Sequence, residues 1–192
     1  MEIKKNNLKW KGKLTPLLVS KVKRIILHHT AHPTWTITET HNYHVTGNGW
    51  IGIGYNFFIE KDGTIIEGRG FNIGAGATGY NKDSLHICFA GNFEIENPTK
   101  EQIKSGKWLV SYLLSLCPND TKVMGHKDVG STACPGKNFP LQEFKEMKRM
   151  DKNEQIEYIK NKVGLDDNTM QYLQFYKYGT ELIDKLFLAL NG

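Results

Sequence analysis

The chain has 192 residues, a formal charge of +5, and 39% hydrophobic and 11% aromatic residues. That composition can build a core and excludes a disordered chain, and no apolar run approaches the roughly 18 residues of a membrane span. Residues 1–140 carry 17 basic against 11 acidic side chains, and residues 141–192 carry 8 against 9. The positive surplus of the first part suits an anionic polymer, either nucleic acid or a bacterial wall with acidic polymers. Zinc-finger spacing, an RNA-binding aromatic motif and a groove-reading helix are all missing, so nucleic acid is not expected as a partner.

The N-terminal MEIKKNNLKWKGKLTP is charged and has no apolar h-region, so cytoplasmic synthesis without a signal peptide is expected. Residues 1–20 read as an arm with Trp10 and Leu14 as anchors. Val22 to His28 is a β-rich run that delivers His28 or His29 at its tip. Thr36 and Glu39 form a capping box for a helix running to about Thr46, where Gly47, Asn48 and Gly49 stop it. Its inward stripe is Ile37, His41, His44 and Val45. Tyr55 to Ile59 and Thr64 to Gly68 flank the turn signal Lys61-Asp62-Gly63 and predict a hairpin.

After a glycine-rich stretch, Leu85 to Ala90 reads as a central strand. A second capping box, Thr99 with Gln102, opens a helix to about Leu116. Lys122 to Gly125 is a short strand, and Pro140 at the first helical position starts a helix to about Met150. Mixed strands and helices with an internal hairpin predict an α/β (α+β) fold, a central mixed sheet flanked by helices.

Beyond residue 150 the composition changes. Residues 151–192 read as a helical C-terminal segment appended to a domain of residues 1–150. Ile156, Ile159 and Val163 share one face, and Gly164 closes that helix. A single last helix is expected to bury Leu173, Tyr176, Ile183, Phe187 and Leu190, with Tyr172, Phe175, Leu182 and Leu186 beside them. A hairpin of about 40 residues is too small to stand alone, so it docks, oligomerises or binds the wall.

Three cysteines make a poor disulfide framework and fit a reducing compartment. Cys88 and Cys117 lie in apolar runs and read as inert thiols, whereas Cys134 lies in the loop GHKDVGSTACP, eight residues after His126. Together with His28 or His29, these residues offer two imidazoles and one thiolate. That set suits Zn²⁺ with a fourth position left for water, the pattern of a zinc hydrolase. His41 and His44, three apart on one helix face, read as packing or groove residues before they read as ligands.

The succession HHTA, GYNFFIEKDGTIIEGRG, GYNKDSLHICFAGNF and GHKDVGSTACPG resembles the type 2 N-acetylmuramoyl-L-alanine amidases, over roughly Arg24 to Pro140. The resemblance implies a muropeptide groove over a zinc ion held by His28, His126 and Cys134. It implies cleavage of the amide between N-acetylmuramic acid and L-alanine of peptidoglycan by zinc-activated water. Tyr55 matches the family's catalytic tyrosine, and Thr132 matches a position that is threonine or lysine among relatives.

Along the groove the resemblance places His29, the runner-up ligand, with His44, Phe71 and Asn72. Two positions depart from the pattern: Gly76 stands where many relatives carry histidine, and His86 where they usually carry glycine. The expectation is that the two changes compensate, with His86 lining the groove. Retention of the full ligand set favours an enzyme over a non-catalytic binding module. The absent signal peptide and short helical segment suit a phage endolysin held in the host cytoplasm until release to the wall.

Overall fold

The apolar run after Lys23 forms an interior strand of a six-stranded sheet, in a computed structural model that describes residues 1–190. The strands are β1 (Ile3–Lys4), β2 (Arg24–His29), β3 (Phe57–Ile59), β4 (Ile65–Glu67), β5 (Ser84–Phe89) and β6 (Lys122–Gly125). Their order is β1-β4-β3-β5-β2-β6. The β3–β4 hairpin is antiparallel and the other pairings are parallel, with His28 opposite Cys88 across β2 and β5. Every residue of β5, and all of β2 except Arg24, is buried, as expected of strands covered on both faces.

The helices are α1 (Ile37–Thr46), α2 (Lys100–Leu116), α3 (Leu141–Lys145), α4 (Lys152–Val163), α5 (Asp167–Phe175) and α6 (Gly179–Ala189). The capping boxes at Thr36–Glu39 and Thr99–Gln102 form as their spacing predicts. On one face of the sheet, Ile37, Ile53, Phe58, Cys88 and Ala90 make a small cluster. On the other, β-strand residues such as Leu27, Ile87 and Phe89 join Leu109 and Leu113 of α2 in the main core. The fold is thus a mixed sheet between two layers, with α1 and loops covering the smaller cluster.

Three boundaries differ from the sequence expectation. The N-terminal arm contributes β1, which pairs Ile3 with Ile65, and it is anchored by the buried Leu17 as well as by Trp10 against His41. Pro140 is the N-cap of α3, which ends at Lys145 instead of Met150. The single last helix is two: Tyr176 takes an extended conformation (φ −62°, ψ 141°), and α6 restarts at Gly179.

The break at Tyr176 decides which apolar row is covered. Ile183 and Phe187 of α6 pack with Ile156, Ile159 and Met170 into the main core, whereas Tyr172 and Phe175 are 82% and 80% exposed. Gly164 ends α4 in the left-handed region (φ 69°), where a residue without Cβ is favoured.

Candidate metal centre

Strand β2 ends in two histidines, and the alternation of a strand sends them to opposite faces. His29 turns toward the main core, where its Nδ1 accepts from the Phe93 backbone N–H at 3.0 Å. His28 turns toward Tyr55, with ring centroids 5.0 Å apart. At the end of β6 the chain enters a 3₁₀ turn over His126–Asp128. The Asp128 carboxylate accepts from Gly125 N–H at 2.8 Å and pairs with Lys145 at 2.9 Å, which holds the turn that carries His126.

The loop then returns to β2. Lys127 N–H donates to the Cys134 carbonyl at 2.7 Å, and His29 N–H donates to the Cys134 sulfur at 3.4 Å. One ligand atom from each of His28, His126 and Cys134 lies within 4.8 Å of the other two. Among the described residues this is the one such group of three or more histidine, cysteine or acidic side chains.

The donor set fits zinc. A tetrahedral ion with bonds of about 2.0–2.3 Å spans ligand atoms about 3.3–3.8 Å apart, and Cys134 Sγ lies 3.8 Å from His28 Nδ1. Imidazole and thiolate also match the softness of Zn²⁺. Burial, then the neighbouring His86, His126, His29 and His44, holds the His28 pKa well below its ordinary value. Burial likewise lowers that of His126, so both rings are neutral and keep a lone pair. Burial pushes the Cys134 thiol up to about 12, against a smaller lowering by the His29 N–H. A cation must therefore displace the thiol proton.

Tyr55 stands beside this cluster, half-buried, with its ring also 5.4 Å from His44. Burial, then Cys88 and Cys134, raises its pKa well above the ordinary value, so its hydroxyl is a proton donor. Thr132 is exposed, and its Oγ1 accepts from Cys134 N–H at 3.2 Å, which leaves the O–H free to donate outward.

The remaining residues expected along the groove are placed differently. His44 is buried, accepts from Gly54 N–H at 3.1 Å, and has its pKa lowered to about 4, first by burial and then by Arg69 and His41. Phe71 stacks edge-on against Phe57 and packs on the main core, away from the cluster. Asn72 donates to the Arg69 carbonyl at 2.6 Å, and its own carbonyl accepts from Asn56, so it ties the glycine-rich loop together. His86 is fully buried and lines no groove. It sits on β5, two residues before the partner of His28, and its Nδ1 lies 3.0 Å from His28 Nε2. His41 bridges the Ile53 N–H and the Lys9 carbonyl and is structural.

Two organising residues escaped the sequence reading. Asn56 is fully buried and donates to the carbonyls of Gly70 and Asn72, both at 2.7 Å, while accepting from His86 N–H at 2.8 Å. Arg69 donates from Nε to Ile53 O at 2.6 Å and from a terminal nitrogen to Ile73 O at 2.9 Å. Together they fix the backbone on both sides of Tyr55. The signal available in sequence was a polar residue directly before the apolar run Phe57–Ile59.

Sheet order and cluster together define a mixed α/β protein with a three-donor centre at the ends of β2 and β6. The chain belongs to the N-acetylmuramoyl-L-alanine amidase family, whose profile matches residues 18–137. It is 40% identical over 133 residues to peptidoglycan-recognition protein SC2 of Drosophila simulans, covering 64% of this chain and 72% of that protein. Its structure is similar to that of the endolysin N-acetylmuramoyl-L-alanine amidase LysCS of Clostridium intestinale (TM-score 0.69, 33% identity, 86% of this chain and 97% of the other). It is also similar to peptidoglycan recognition protein-LE, solved with tracheal cytotoxin, a monomeric diaminopimelic acid-type peptidoglycan (TM-score 0.68, 29% identity, 73% and 91%).

Proposed function

We propose that the protein is a zinc-dependent peptidoglycan hydrolase that cleaves the amide between N-acetylmuramic acid and L-alanine of the stem peptide. The observation that carries this reading is the convergence of His28, His126 and Cys134 donor atoms within 4.8 Å, beside Tyr55 and inside the segment that the family profile matches. A recognition protein without catalysis has no need of a thiol and two neutral imidazoles facing one point.

Zinc bound there supplies Lewis acidity toward a water and the scissile carbonyl. The chain's own residues do the rest. His28, His126 and Cys134 orient the centre. The Tyr55 hydroxyl, protonated at neutral pH, donates to the oxygen that gains negative charge. The Thr132 hydroxyl, held by Cys134 N–H, is a second and neutral donor.

The proposed partner is bacterial peptidoglycan. No helix among the described residues is long and apolar enough to cross a membrane. The likeness to LysCS supports an endolysin role, with synthesis in the host cytoplasm and action at the wall after release. In this reading residues 1–150 are the catalytic part and residues 151–192 an appended segment, whose described helices join the main core through Ile156, Ile159, Met170, Ile183 and Phe187. Its exposed aromatic row is left for wall contact or self-association.

A second reading, peptidoglycan recognition without catalysis, is favoured by the similarity to protein SC2. The two part on a soluble muramyl peptide incubated with the zinc-loaded protein. Appearance of a new alanine amino group supports the hydrolase, and saturable binding with no new amine supports recognition.

A further inference from the structure

His86 has no part in the reading above, yet it makes a side-chain polar contact of 3.0 Å to a proposed metal ligand. The His28 ring presents Nδ1 to Cys134 Sγ at 3.8 Å and Nε2 to His86 Nδ1 at 3.0 Å. The two residues are 1% and 0% exposed. The other nitrogen of His86, Nε2, is buried with no hydrogen-bond partner. An orphaned buried nitrogen in a folded protein calls for an explanation.

The surroundings hold the ring in that position. Its peptide N–H donates to Asn56 Oδ1 at 2.8 Å. A Cβ added at Gly74 would come within 2.4 Å of His86 Cδ2, and one at Gly76 within 2.6 Å of His86 Nδ1. Neither glycine has a positive φ, so backbone conformation does not require glycine at these two places. The missing side chains make room for the imidazole.

We infer that His86 is a positioning residue for the metal centre: its Nδ1 accepts the Nε2–H of His28 and so keeps the His28 Nδ1 lone pair facing Cys134 and His126. A ligating imidazole must carry its proton on the nitrogen away from the metal, and an acceptor there fixes both tautomer and ring orientation. With its Nδ1 accepting, His86 holds its own proton on Nε2, which is the orphaned nitrogen. The unmet donor is the consequence of keeping an acceptor beside His28.

This inference rests on the proposed zinc centre and is tested by zinc affinity, read by competition with a chromophoric chelator, with apo thermal unfolding followed in parallel. His86→Leu fills similar space without an acceptor and is expected to weaken zinc binding about 10–100-fold. His86→Asn places an amide oxygen where Nδ1 stood and is expected to stay within a few-fold of the parent. Gly74→Ala keeps His86 and displaces its ring, its Cβ coming within 2.4 Å of His86 Cδ2 with His28 not among its nearest atoms, so it is expected to weaken zinc binding even if the leucine variant does not fold. Parent-like affinity in the leucine or alanine variant would overturn the inference, as would equal losses with leucine and asparagine, which mean packing alone. Failure of the parent chain to bind zinc would instead overturn the metal centre itself.

Discussion

The sulfur of Cys134 accepts a hydrogen bond from the backbone nitrogen of His29 at 3.4 Å, across 105 residues of chain. This contact ties the loop after β6 to the tip of β2 and sets Cys134 beside His28 before any ion arrives. The thiol is half-buried and makes no packing contribution to either apolar cluster. Cys134→Ser is therefore expected to leave apo thermal unfolding close to that of the parent. The parent should gain about 2.7 kcal/mol when free zinc exceeds its dissociation constant a hundredfold, and the serine variant should lose most of that gain. A serine variant that is stabilised by zinc as strongly as the parent would remove Cys134 from the centre.

Tyr55 and His28 lie with ring centroids 5.0 Å apart, and the proposed mechanism gives the Tyr55 hydroxyl the role of oxyanion donor. Tyr55→Phe removes a donor to the developing oxyanion and should lower kcat by about 10²–10³. Zinc affinity should stay unchanged, because the ring and its packing remain. Kinetics on a soluble muramyl peptide, with zinc content measured on the same samples, check this. A loss of zinc parallel to the loss of rate would make Tyr55 a structural support.

Much of this architecture is written locally. The boxes at Thr36–Glu39 and Thr99–Gln102 each place a hydroxyl and a carboxyl or amide three residues apart, and the helices begin there. The hairpin turn at Lys61–Gly63 and the cap at Gly164 are equally local signals. Asp151 with Glu154 forms a further capping box of the same kind. What the sequence hides depends on pairing between distant segments. Ile3 and Lys4 look like part of a polar arm, because two residues carry no period, and only β4 makes them a strand.

The helix break at Tyr176 is hidden by the continuous apolar row that spans it. His86 lies deeper than its place in the sequence suggests for a related reason: its position in β5 is a local signal, but its depth depends on Gly74 and Gly76 packing over it from another loop. The family motifs brought His28, His126, Cys134 and Tyr55 to notice, whereas the buried supports Asn56 and Arg69 carried no motif of their own.

The C-terminal helices make a prediction about stability. Phe187 is 1% exposed and meets Tyr158 edge-on at 5.3 Å, whereas Phe175 is 80% exposed. Phe187→Ala should cost about 3–5 kcal/mol in urea unfolding, and Phe175→Ala should fall within about 0.5 kcal/mol of the parent. A small effect at Phe187 would mean that the segment contributes little to the stability of the remainder.

Glu60 gives the stability a specific pH dependence. Its carboxylate accepts from Ile37 N–H at 2.9 Å, but burial outweighs that bond and, with Asp62 and Glu39 nearby, raises its pKa above 4.5. The folded chain then binds this proton more tightly than the unfolded chain does. Its stabilising effect is complete below the unfolded value of about 4.5 and is lost as pH rises through the folded pKa. Glu60→Gln should remove that part of the decline, so the gap in unfolding free energy between variant and parent should move in the variant's favour from pH 4 to pH 7. A gap that is constant with pH would contradict the assignment.

The central claim is that His28, His126 and Cys134 hold the ion that cleaves the muramyl–alanine amide. Mass spectrometry of purified peptidoglycan, digested by the zinc-loaded protein beside Cys134→Ser, tests it most directly. The expected products are free stem peptides beginning with L-alanine and glycan chains with unsubstituted muramic acid, both missing from the serine digest. Intact peptidoglycan that still binds the protein, or fragments cut within the sugars or between peptides, would contradict it.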